Sequence, residues 1–238
     1  MCGYIEVNGE RPDGIKQFPE KGIAEQFFTS SFKRYYPAFG QDPNKTIDII
    51  IEEEGELKQV AATWWFDCTD SEYGLNVGSR TTFNARNLTS PYWQNPLKYN
   101  RAIVLATGLG ESKKVGKTKH QYFMESQDVF VLAALYQKFS HNRYSCAVIT
   151  RDIHQKMEPY HDKAFPGFLP HDDRFLKLWL SQSVHQHDEI DFILNHPTLF
   201  PTLTVQRVKT YKDKVPYKSF ESVVLQSDVE RKSQTTLS

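Results

Sequence analysis

Between Gly22 and Tyr35 the apolar residues Ile23, Phe27, Phe28 and Phe32 fall near helical spacing, which predicts a helix behind a short N-terminal strand. The rhythm then shortens. Thr46 to Ile51, Gln59 to Phe66, Arg101 to Thr107, Tyr122 to Met124, Val129 to Tyr136 and Tyr144 to Thr150 are apolar or alternating runs bounded by turn formers, the pattern of strands. Helical spacing returns at Asp172 to Leu180, where Phe175, Leu176, Trp179 and Leu180 make an apolar face and Asp172 or Asp173 can cap it. A second short helix fits Asp188 to Leu194, and TLTVQRVKTY alternates like a last strand. Strands with a few segregated helices predict an α+β class: one domain over residues 1–225, a mixed, mostly antiparallel sheet curled into a barrel-like core with a few flanking helices. The polar residues 226–238 read as a loose tail.

Composition narrows the picture only a little. With 238 residues the chain can bury a sizeable core, and its generous aromatic share is that of a folded protein. Twenty-nine basic residues balance 29 acidic ones, so total charge points to no nucleic-acid, membrane or acidic partner, and any such signal must be local. Three widely spaced cysteines, Cys2, Cys68 and Cys146, form neither a zinc pair nor a disulfide framework and predict a reducing compartment. The start lacks a secretory pattern, and no run approaches the roughly 18 apolar residues of a membrane span. A cytoplasmic protein, associated with the nucleoid when bound to DNA, is expected.

The chemistry begins at Met1-Cys2-Gly3. A small second residue permits removal of the methionine, which would leave Cys2 with a free α-amine and a thiol on the same residue. Reference pKa values of roughly 7.7 to 8.0 and 8.5 make both nucleophilic near neutrality with modest help. An aldehyde can form a Schiff base with the amine, after which the thiol closes a five-membered thiazolidine. Taken alone, Met-Cys-Gly is also what an incidental small residue at a frayed end would look like.

Four further stretches narrow the choice: TWWF at Thr63 to Phe66, FNAR at Phe83 to Arg86, RAIVLATGLGES at Arg101 to Ser112, and AVITRDIHQKMEPYHDKAFPGFLP at Ala147 to Pro170. In letters, order and spacing these resemble the SRAP family (SOS response-associated peptidases, or abasic site processing proteins), nearly end to end. The resemblance implies a catalytic set of Cys2, Asn84, Glu111 and His161. Asn84 would orient the nucleophile, Glu111 would move protons during Schiff-base formation and Met1 removal, and His161 would serve as general acid or base on the sugar. It implies phosphate contacts at Arg86 and Thr150. The substrate implied is single-stranded DNA with an abasic site, captured as a covalent crosslink, with β-elimination as a side activity. No metal or cofactor is implied, no membrane partner is expected, and a monomer is expected. Arg80, Lys113 and Lys114 are candidate DNA contacts, beside Lys117, Lys119 and Arg151, and Trp64, Trp65 or Trp93 are candidates to stack on bases.

The chain departs from the family pattern at Tyr4, where an arginine is usual, and at Leu88, where an acidic residue is usual. Leu109-Gly110 replaces an aromatic pair before Glu111, and Ser112 replaces a tryptophan after it, changes expected to reshape the pocket wall. Singly, Asn84 fits a turn, Glu111 a solvated carboxylate, His161 a cap and the lysines a solvated loop. Two other classes stay open. One is a single-stranded DNA-binding relative without crosslinking. The other is a glutamine amidotransferase, which also uses an N-terminal cysteine but whose other motifs are missing here. A metal hydrolase built on His185, His187 and Asp188 is the weakest reading, since such a polar stretch beside a helix is ordinarily surface.

Overall fold

The computed structural model describes residues 3–9, 22–29 and 31–229. Met1 and Cys2 therefore lie outside the described residues, as do 10–21, 30 and 230–238. The chain begins with β1 (Ile5–Val7), α1 (Ile23–Phe27), β2 (Lys33–Tyr35), β3 (Thr46–Glu53) and β4 (Glu56–Thr63). A hairpin of β5 (Cys68–Ser71) and β6 (Gly74–Val77), the two-residue β7 (Asn84–Ala85) and α2 (Pro91–Tyr99) follow. The centre is β8 (Arg101–Val115), β9 (Thr118–Phe139) and β10 (Arg143–Arg151), then β11 (Phe165–Pro166) and β12 (Phe168–Leu169). The last elements are α3 (Asp173–Leu180), α4 (Asp188–Asn195), β13 (Leu203–Val208) and β14 (Val223–Leu225).

The main sheet runs β14-β13-β9-β10-β4-β3-β8-β1-β2, and an added β8–β9 pairing joins its middle into a ring-like closure. Most pairings are antiparallel, while β10 runs parallel to β4 and to β7, so the sheet is mixed. Strands of this ring are buried on both faces. One face carries Ile47, Ile49, Ile51, Val104, Leu132, Ala134, Cys146 and Val148 into one core. The other carries Ile50, Ile103, Val131, Ala133, Ala147 and Ile149 under the four helices as a second. Double burial is why these strands read as continuous apolar runs rather than alternating ones.

The predicted α+β class is thus observed, with three corrections to its elements. The expected helix from Gly22 to Tyr35 is only the five residues of α1, because Phe28 is already extended and Lys33–Tyr35 pairs with β1. Pairing and the Tyr35 hydroxyl, which donates to Asp48 at 2.8 Å, override the helical spacing. The expected runs Tyr122 to Met124 and Val129 to Tyr136 belong to one long β9. Its ladder with β8 breaks only at a bulge between Ala106 and Gly108, where residues 126–129 have no partner in β8. TLTVQRVKTY is not the last strand, since β14 pairs beyond it.

Most of the expected tail from Gln226 lies outside the described residues, and its first residues are bonded to the body. Asp228 accepts from the Leu199 N–H at 2.6 Å and from Lys156 at 2.6 Å, which ties residues 226–228 to the body. Among the described residues no helix is long and apolar enough to cross a membrane.

Candidate active site

Topology brings the polar motif residues to one end of the ring. β8 and β10 each run antiparallel to β9, so both point the same way and their C-terminal ends share one side of the molecule. β1 runs antiparallel to β8, so its N-terminal end lies on that side too. Leu109 of β8 and Val148 of β10 belong to the first core, and two residues further along the same faces stand Glu111 and Thr150, both buried. Each apolar row therefore ends in a polar side chain at the same end.

His161 meets Glu111 there. Its Nδ1 lies 2.9 Å from the Ser112 carbonyl and 3.2 Å from Glu111 Oε2. Both neighbours are acceptors, so Nδ1 carries the proton, and in the neutral ring Nε2 is the basic nitrogen. The segment bearing His161 leaves β10 through a short turn, with the His161 N–H donating to Met157 O at 3.0 Å and Tyr160 packed edge-on against Tyr122 of β9. Lys113 fastens this segment to β8. Its ammonium donates to Glu158 O at 2.5 Å and lies 3.7 Å from Asp162, whose carboxylate also accepts the Lys114 N–H at 3.3 Å.

The N-terminal strand runs directly beside this pair. Ile5 is opposite Leu109, and the Gly110 N–H donates to the Tyr4 carbonyl at 2.9 Å, so the register carried one residue further sets Gly3 opposite Glu111. Cys2 itself is outside the described residues. Asn84 enters from β7, with Asn84 opposite Val148 and Ala85 opposite Ile149 of β10. The preceding Phe83 carbonyl accepts from both the Trp64 indole at 2.9 Å and the Val148 N–H at 3.0 Å. Thr150 closes the group, its buried hydroxyl lacking a hydrogen-bond partner among the described residues. Arg86 is half exposed, 3.4 Å from an exposed Asp152.

Several expected DNA contacts are placed elsewhere. Trp64 is fully buried and holds Phe83, while Trp65 is buried, donates to Gly78 O at 3.1 Å and stacks on Phe83. Trp93 packs against Phe66. None of the three offers a face to a base; all three are core. Lys113 is a clasp for the His161 segment, and only Lys114 of that pair has an exposed side chain. Arg80 pairs with Asp67 at 2.8 Å and lies over the Tyr92 ring. His187 caps α4 by accepting the Glu189 N–H, which gives that histidine a structural task. What the sequence reading missed is Phe39, 51% exposed and edge-on to Trp65 and Phe83, and the exposed Tyr36, which packs on Tyr4. Pattern gives no means of telling an exposed aromatic from a buried one in a turn-rich stretch.

The departures at positions 4 and 110 explain each other. A Cβ on Gly110 would lie 2.9 Å from the Tyr211 ring and 3.0 Å from Tyr4 Cβ, and one on Gly108 would lie 2.6 Å from the Phe123 ring. With no side chain at Gly108 or Gly110, Tyr4 stacks on Tyr211 at 5.4 Å and meets Phe123 at 6.1 Å. Beside Glu111 the wall is therefore built by Tyr4, just before β1, and by Tyr211 from the segment after β13.

A family model described as SOS response associated peptidase (SRAP) matches residues 1–215. No curated protein matches the chain. Among solved structures, a phage-related protein from Bordetella bronchiseptica aligns with a TM-score of 0.62 at 14% identity, over 91% of this chain and 100% of its own. A protein from Bacteroides thetaiotaomicron aligns with a TM-score of 0.57 at 17% identity, over 88% and 93%. At these identities the likeness is one of fold.

Proposed function

The chain belongs to the SOS response associated peptidase family, and from that premise we propose that it captures abasic sites in single-stranded DNA through Cys2 after loss of Met1. The observation that carries the reading is the buried Glu111–His161 pair beside the strand that leads to the N-terminus. The α-amine of Cys2 attacks the aldehyde carbon of the ring-opened sugar, and water leaves to give a Schiff base. The thiol then adds to the same carbon, its proton passing to the nitrogen, and a thiazolidine results.

Water must leave with a proton supplied and the amine must lose one, a shuttle suited to a carboxyl group held out of solvent such as Glu111. His161, with its Nδ1 proton fixed by Ser112 O and Glu111, keeps Nε2 as the basic nitrogen for the sugar. Asn84 supplies a neutral hydrogen bond. Thr150 and Arg86 are suited to phosphate. Phe39, packed on the Phe83 that precedes Asn84, and Tyr36, packed on Tyr4, take over the stacking task first expected of the tryptophans, being aromatic side chains open to solvent.

The test incubates Met1-free protein with single-stranded DNA bearing one abasic site and looks for a band that survives denaturation, beside Cys2→Ala. A band absent from the variant supports capture. No band from processed wild type would sink it, leaving a non-covalent DNA-binding relative, or an amidotransferase if glutamine releases ammonia.

A further inference from the structure

Ile5 and Val7 send one face of β1 into the first core, while Tyr4 and Glu6 occupy the other. Both are fully buried. What covers them is the excursion after β13, residues 209–217. This segment is braced internally: the Lys209 N–H donates to Val215 O at 2.9 Å, the Lys214 N–H to Thr210 O at 3.0 Å, and Val208 bridges Pro216. From it Tyr211 stacks on Tyr4, and Lys214 donates to Glu6 Oε1 at 2.7 Å with its ammonium over the Phe123 ring. Glu6 Oε2 accepts the Tyr4 hydroxyl at 2.6 Å and has Arg34 3.8 Å away. A carboxylate with no exposure is held by these partners, and of them the Lys214 ammonium reaches it only when the excursion lies over the strand.

We propose that residues 209–217 form a latch that fixes the direction in which the chain leaves β1, making Tyr4, Glu6, Tyr211 and Lys214 positioning residues for the N-terminal nucleophile. The inference rests on the capture reading above. A chain end frays unless it is tied. Among the described residues Tyr4 is the side chain so anchored that lies nearest the N-terminus, and only Gly3 separates it from residue 2. The core face of β1 would hold the strand without the latch; the aim of the two residues beyond it depends on Tyr4. A displacement near 1 Å at a reacting group costs about 100-fold in rate.

Lys214→Met keeps the stem over Phe123 and removes the bond to Glu6, Tyr211→Ala removes the stack, and Lys214→Arg restores a cation. Three readouts are taken: the first-order crosslinking rate at saturating abasic DNA, the affinity for the same strand with a reduced sugar, and the melting temperature. Expected are crosslinking about 10-fold or more slower for the first two variants, affinity unchanged within about twofold, and recovery in Lys214→Arg. Arg143→Ala, which removes ties to Asp70 and the Ser71 carbonyl at the opposite end of β10 from Thr150, should melt lower yet crosslink at the wild-type rate. Folded Lys214→Met and Tyr211→Ala that crosslink as fast as wild type would overturn the latch. If wild type itself forms no crosslink, the capture reading falls, and amide hydrogen exchange at Gly3 to Glu6 decides: faster exchange in Lys214→Met keeps the latch, unchanged protection removes it.

Discussion

Glu111 shows how much one residue's chemistry depends on where a strand stops being apolar. It follows Leu109 on the face of β8 that fills the first core and is as buried as its apolar predecessors, with His161 3.2 Å away. Glu111→Gln keeps shape and hydrogen-bonding capacity but cannot carry a proton. The expected result is crosslinking slower by about 100-fold, the low end for a lost acid–base group, with affinity for undamaged single strands within about twofold. Equal loss of rate and affinity would instead make Glu111 a binding residue. The juxtaposition of Glu111 and His161 was legible in the sequence, since motif spacing singled out both and the fold sets them 3.2 Å apart. The tryptophans stayed ambiguous between core and stacking because a residue type carries no record of its exposure: Trp64 spends its indole N–H on Phe83 O inside the core.

At the scale of elements, β8 carries the largest share of the site, and its Gly110 lets Tyr4 of the N-terminal segment approach. Gly110→Ala would put a methyl 2.9 Å from the Tyr211 ring and 3.0 Å from Tyr4 Cβ, contacts relieved only if β1 and the 209–217 excursion move apart. We expect a loss of about 1 to 3 kcal/mol, read as a lower urea midpoint at unchanged slope, with crosslinking slowed beyond what the lost folded fraction explains. Wild-type stability in this variant would mean the strand can shift freely. Long strands and amphipathic helices were readable from spacing, since α3 is buried through Phe175, Leu176, Trp179 and Leu180 as predicted and capped by Asp172, one of the two expected candidates. Elements whose shape is set by distant partners were not. α2 carries Pro96 inside it, and it ends where the buried Arg101 donates to Leu97 O at 2.8 Å and Lys98 O at 3.0 Å. The stretch after Phe28 spaces its phenylalanines like a helix but is claimed by β1.

The whole molecule is a ring of strands with helices fastened to one face, and its polar fasteners set how it responds to pH. Arg101 reaches from β8 to the carbonyls of Trp179, Ser181 and Val184, so one guanidinium joins α2 and α3 to the ring; burial pulls its pKa down to about 10, and it stays charged throughout the neutral range. His171, between β12 and α3, behaves differently. Burial lowers its pKa below the ordinary 6.5, only partly offset by a backbone bond at Val129 and the carboxylates of Asp128 and Asp173. The unfolded chain therefore binds the proton more readily than the fold. The stability that neutral His171 contributes is present above about pH 6.5 and is lost as pH falls towards the folded pKa, at no more than about 1.4 kcal/mol per pH unit. Urea midpoints measured from pH 7.5 to pH 5 should fall, and His171→Gln, which stays neutral, should flatten that slope while Arg101 adds nothing to it. An equal slope in the variant would assign the acid sensitivity to a group other than His171; Asp228 and Asp173, held, despite partial burial, below the usual carboxylate range by hydrogen bonds and neighbouring cations, lose their contribution only below about pH 5, outside this range.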